Sequence, residues 1–205
     1  LILTSYGDME YSKIEKAPEG RKPTDTRVMP LSRLNDVAAA LKRKVDSGIR
    51  AYWVCPLVEE SEKTDLAAAE ERYKTLQHIF GAKVGLIHGK MKEAEKDAVM
   101  ADFKSGKISV LVATTVIEVG VNVPEATLMI IEQAERFGLA QLHQLRGRIK
   151  RGFEASTCIL LYGSPLSETS HARLNIMKES EDGFVIAEKD LELRGFGEIL
   201  GNRQS

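Results

Sequence analysis

Val110-Leu111-Val112-Ala113-Thr114-Thr115-Val116-Ile117-Glu118-Val119-Gly120-Val121-Asn122-Val123-Pro124 is the stretch that decides the fold class. Its apolar start, read with Ile108, predicts a strand over 108–113 that is buried on both faces, because no polar residue alternates through its last four positions. Two hydroxyls and then a glycine turn follow, which puts Thr114 and Thr115 at the carboxyl edge of a sheet. Open α/β sheets bind ligands at that edge. Hydroxyls and backbone amides there suit a nucleic-acid phosphate, and the same residues suit a plain strand end capped by threonines.

Working outward, short apolar runs alternate with helical patterns. Strands are expected at 27–31, 51–58, 84–88, 128–131 and 157–162. Helices are expected from a cap at Ser32 to a stop at Gly48, and over 66–80, 91–103, 139–145 and 167–178. Strand–helix alternation needs right-handed crossovers, so the expectation is an α/β fold with a parallel sheet flanked by helices. Residues 1–26, with Gly7, Pro18, Gly20 and Pro23 among charges, read as a connector. Residues 27–164 read as the sheet domain. Residues 165–205 read as a small helical and loop appendage, because Gly195, Gly197 and Gly201 punctuate its end.

Of the 205 residues, 43% are hydrophobic and 29% charged, which excludes a wholly disordered chain. No apolar run reaches the roughly 18 residues of a membrane span, and a cytoplasmic location is expected. Cys55 and Cys158 each lie in an apolar run and read as buried free thiols. The four histidines show no metal-ligand spacing, so no metal site is expected within the chain.

The densest functional signal is Gln144-Leu145-Arg146-Gly147-Arg148-Ile149-Lys150-Arg151. Arg148 and Arg151 stand three apart, and their forked guanidinium groups suit phosphate oxygens or a solvated helix end equally well. His88-Gly89-Lys90, another strand end before a helix, offers a cation near helix amides, or a surface turn. There is no GxxxxGK[ST] phosphate loop and no Asp-Glu pair following a strand. Nothing in the chain can cradle a triphosphate, so the isolated chain is expected to fold and to be catalytically silent.

Together these segments resemble a known family. Residues 51–61, His88 onward, 114–124 and 135–148 look like motifs IV to VI of superfamily two helicases, and of their RecG-type branch in particular. Residues 182–198 and 201–205 resemble the translocation motif that this branch shares with the transcription-repair coupling factor, and Tyr6-Gly7-Asp8 looks like the exit from a first motor domain. The resemblance implies the second RecA-like motor domain, P-loop NTPase-like in fold, of an ATP-dependent DNA helicase that remodels stalled forks and Holliday junctions. It implies that Gln144, Arg148 and Arg151 act on ATP, that Glu118, Gly120 and Asn122 bind the nucleotide, and that Glu118, Gly120 and Thr115 couple ATP to DNA. His88, Gly89, Lys90 and Thr114 would serve DNA binding or coupling; Arg194, Arg203 and Gln204 would belong to a translocation loop.

The resemblance further implies ATP and Mg2+ held mainly by a first RecA-like domain of the same protein, branched DNA as partner, no membrane, a monomer, and a bacterial, nucleoid-associated setting. Two positions depart from the family pattern: Asn122 where aspartate is common, and Lys150 where glycine is common. The coupling factor, and a non-enzymatic DNA-binding relic, remain the alternatives; Cys158 to Tyr162 and Asp182-Gly183-Phe184 favour the RecG type over the former.

Overall fold

A computed structural model describes residues 22–56, 62–114, 123–149 and 155–201, with backbone alone at 62–64 and 194–201. Six strands form one sheet: β1 (Asp25–Pro30), β2 (Arg50–Cys55), β3 (Val84–Ile87), β4 (Val110–Thr114), β5 (Ala126–Ile131) and β6 (Thr157–Tyr162). They lie in the order β1-β6-β5-β2-β4-β3, and every pair is parallel. The helices are α1 (Leu34–Asp46), α2 (Glu62–Phe80), α3 (Glu93–Ser105), α4 (Leu139–Gly147), α5 (Glu168–Glu179) and α6 (Gly183–Gly201).

The α/β expectation holds, and its reason is visible in the burial. All residues of β4 and β5 are buried, as two-sided cover by helices demands. Alternate strand residues feed two cores. Tyr52, Val54, Leu111, Met129 and Leu160 meet α3, α4, α5 and the start of α6. Trp53, Val112, Ile130 and Leu161 meet α1 and α2. Each large side chain buried this way contributes about 1.5–3 kcal/mol.

Three local readings differ from the structure. β1 begins at Asp25, inside the stretch read as connector, where Thr24 Oγ1 and Ser156 Oγ share a 2.9 Å hydrogen bond. Ser32 does not cap α1; it sits in a 3-10 turn, Leu31–Arg33, and Arg33 precedes the helix without a side-chain cap bond. The tail is helical through Gly195 and Gly197 rather than looped. Each interior glycine costs about 1 kcal/mol relative to alanine, and burial of Ile186 at 2% exposure, with Leu193 packed on the same core, favours the helix. Gly48, at φ +92°, ends α1 as expected.

Candidate nucleotide and nucleic-acid interface

The carboxyl ends of β2, β4 and β3 lie side by side. Cys55 pairs with Thr114, and Ile87 pairs with Ala113, so His88 leaves the sheet next to Thr114. Thr114 is buried at 2% exposure, Gly89 and Lys90 are exposed, and His88 Nδ1 is buried without a hydrogen-bond partner. The first turn of α3 carries Glu93 and Glu95, and Glu95 Oε2 accepts from the Lys92 amide at 2.9 Å. That acidic turn makes the His88-Gly89-Lys90 loop, rather than the helix terminus, the part of this segment suited to an anion.

Behind this edge stands a buried polar frame. At the end of β5, Glu132 Oε1 accepts from Trp53 Nε1 at 2.5 Å and from Arg72 Nε, and Arg72 Nη2 donates to Oε2 at 3.2 Å. The Arg72 guanidinium also lies 5.9 Å over the Trp53 ring, a cation–π contact. Gln133 adopts the left-handed φ of 47° and accepts from Arg136 Nη1 at 2.7 Å. Arg136 in turn approaches Asp65 of α2 at 3.8 Å. Glu135 Oε1 accepts from the Gly163 amide at 3.0 Å, a spot where a Cβ would stand 2.9 Å from that oxygen.

From this frame α4 runs back along the sheet for about 13 Å. Gln144 is exposed and Arg148 half-buried, four residues apart and so on one side of the helix. Their amide and guanidinium groups are donors of the kind that phosphate oxygens accept. Arg146 between them is buried at 2% exposure. Its Nη1 donates to Met177 O at 2.6 Å and Thr26 Oγ1 at 3.3 Å; its Nη2 donates to Ser180 O at 2.8 Å and lies 3.3 Å from His143 Nδ1. Burial draws the Arg146 pKa downward, against the opposing pull of Cys158 and Glu181. One guanidinium thus joins α4 to β1 and to the end of α5. Beside it α4 and α6 enclose a groove of about 290 Å³ lined by Leu139, His143, Gln144, Gly183, Ile186 and Leu191.

The structure therefore brings His88, Gly89, Lys90 and Thr114 to one edge, and Gln144 and Arg148 to one side of α4. Thr115, Glu118, Gly120, Asn122, Lys150, Arg151, Arg203 and Gln204 lie outside the described residues, as do residues 1–21 and 57–61; Arg194 is described in backbone only. Sequence reasoning missed Glu132, Arg72 and the inward role of Arg146. Leu139, Leu142 and Arg146 follow i, i+3, i+7 spacing, which is the signal that places Arg146 on the buried side. Cys55 and Cys158 are free and buried as expected. Burial pushes the Cys158 thiol up to about 12, with Arg146 opposing, and pushes Cys55 up as well, with Glu132 adding to it and Arg72 opposing. Among the described residues no group of three or more His, Cys, Asp or Glu could hold a metal ion, and no helix is long and apolar enough to cross a membrane.

Residues 33–152 match the helicase conserved C-terminal domain model, and the chain belongs to that family. Within it the likeness is to RecG along the whole chain. The chain is 56% identical to the ATP-dependent DNA helicase RecG of Acidithiobacillus ferridurans and 54% identical to that of Escherichia coli K12, each match covering all of this chain and 30% of the relative. The chain thus spans less than a third of the curated relatives it matches. A solved structure of RecG bound to a three-way DNA junction superposes with a TM-score of 0.75 at 44% identity, covering 89% of this chain and 24% of that one. The parallel sheet flanked by helices is the RecA-like fold of a helicase C-terminal domain.

Proposed function

We propose that this chain is the second motor domain of an ATP-dependent DNA helicase that remodels branched DNA, such as stalled forks and Holliday junctions, in recombination and repair. The observation that carries the reading is the likeness to RecG along this chain, including the relative solved on a three-way junction. The likeness favours this reading over the coupling factor and the relic. The strand-end residues His88, Gly89, Lys90 and Thr114, with Thr115, would grip or sense DNA. Gln144, Arg148 and Arg151 would face ATP, where guanidinium groups stabilise charge developing on the transferring phosphoryl. Glu118, Gly120 and Asn122 would line the same cleft. ATP and Mg2+ would be held mainly by a first RecA-like domain, the magnesium ion neutralising phosphate charge when bound.

We assign the tail residues Arg194, Arg203 and Gln204 to coupling rather than to hydrolysis. Arg146 supports this, because it ties the helix that bears Gln144 and Arg148 to the turn from which α6 starts. The full-length protein would act as a monomer, cytoplasmic and at the nucleoid.

The test compares ATP turnover and strand separation by the full-length protein on a three-way junction and on linear duplex of equal length. Junction-dependent separation is expected, with Arg151→Ala lowering turnover by ~10³-fold while nucleotide binding persists. Equal action on both DNAs would overturn the branched-DNA reading, and unchanged turnover in Arg151→Ala would move the catalytic role elsewhere.

A further inference from the structure

On the face of the sheet served by α1 and α2, the described residues leave edge strand β1 incompletely covered, and a groove of about 440 Å³ opens between it and α1. Leu41, Leu128 and Ile159 form its apolar floor, while Arg27, Arg43 and Lys44 stand at its rim. Among the described residues no acidic side chain lines it. Arg27 shares its charge with Asp25 at 2.7 Å. Arg43 and Lys44 are exposed and make no ion pair with described residues. Cations in the last turn of α1 suit the helix dipole, yet that preference does not explain an open apolar floor beneath them. The groove lies across the sheet from α4, so an occupant there would leave Gln144 and Arg148 uncovered.

We propose that this groove docks an acidic segment of a partner protein, with carboxylates meeting Arg43 and Lys44 and a leucine- or phenylalanine-sized side chain seated on the floor. Charge complementarity selects the carboxylates, and the apolar floor selects the anchor. A nucleic-acid strand fits less well. Its phosphates would satisfy the rim but leave the floor wet, and among the described residues no aromatic side chain lines the groove for a base to stack on. The proposal does not depend on the helicase reading.

The test uses the full-length protein and a fluorescein-labelled heptapeptide, Asp-Glu-Leu-Asp-Asp-Phe-Glu, with binding read by fluorescence anisotropy at low salt. Saturable binding is expected. Arg43→Glu combined with Lys44→Glu should weaken it at least tenfold, and Ala40→Trp, which narrows the groove without changing its charge, should weaken it comparably. Circular dichroism checks that each variant is folded, and the charge reversals fall on exposed positions. Absent binding, equal binding by the variants, or equal binding of the uncharged analogue Asn-Gln-Leu-Asn-Asn-Phe-Gln would each overturn the proposal. Loss of duplex DNA affinity in the charge-reversed protein, with peptide binding unchanged, would assign the groove to nucleic acid instead.

Discussion

Arg72 and Arg146 pin helices to opposite faces of the same sheet, yet they do so with opposite electrostatics. Arg72 on α2 meets a carboxylate, Glu132, which Trp53 also holds. Arg146 on α4 donates to carbonyls at Met177 and Ser180 and to the Thr26 hydroxyl and lies beside His143, with the Glu181 carboxylate near enough to favour its charge. The first is a balanced, part-buried ion pair, whose desolvation cost is offset by its partner's charge. The second is a buried cation whose charge is shared among dipoles at a helix end, where cations are favoured. Two backbone carbonyls accept from one side chain there, so its loss removes both guanidinium bonds that run from α4 to the end of α5.

The largest expected effect comes from removing that donor. Arg146→Ala leaves two carbonyls and a hydroxyl without their bonds, at roughly 1–3 kcal/mol for each buried group, and should lower the stability of the isolated chain by about 4 kcal/mol. Urea unfolding followed by the fluorescence of Trp53, the only tryptophan, measures it. A loss below about 1 kcal/mol would mean that water replaces the guanidinium and that Arg146 pins nothing.

Next is Glu132→Ala, expected to cost about 3 kcal/mol, since it strips an acceptor from both Trp53 and Arg72. Adding Arg72→Ala should cost little more, giving a coupling of about 2 kcal/mol in a double-mutant cycle. Additive losses would dissolve the contrast between the two pins. Smaller still is Gly183→Ala, whose Cβ would stand 3.0 Å from His143 Nε2. A loss of about 1 kcal/mol or less is expected, and neutrality would show that His143 yields without disturbing Arg146.

Last, the buried thiols should be inert at pH 8. Cys158 moves from 9.0 to about 12 on folding, so the native thiol keeps its proton where an unfolded one begins to lose it. Its contribution to stability is present below pH 9 and is lost as pH rises toward 12. Ellman's reagent should label Cys55 and Cys158 only after urea unfolds the chain; prompt labelling of the native form would contradict the burial of the β2 and β6 cores.

Most of the sheet was legible because burial on both faces leaves a continuous apolar mark, as in β4 and β5. Misreadings fell where local propensity and tertiary contact disagree. Glycines in α6 suggest a loop, but Ile186 packs on the sheet and carries the helix past them. Ser32 has the right chemistry for a cap and the wrong backbone position. In the candidate site, His88 and Thr114 were legible from strand ends, whereas Arg146 was hidden in a run of arginines whose composition says nothing about which of them turns inward. Glu132, Arg72 and Trp53 lie far apart in sequence, and only the strand order brings them together.

That strand order also governs how the chain assembles in time. Among the described strands β1 is made first, yet its sheet neighbour is β6, and Thr24 meets Ser156 across 132 positions. At a synthesis rate of about 5–20 residues per second, β1 waits on the order of ten seconds for its partner to leave the ribosome. Through that interval the strand it pairs with in the finished sheet is missing, and loop closure over so long a span is slow. The charged pair Asp25 and Arg27, exposed on β1, is well placed to discourage another nascent chain from taking β6's place.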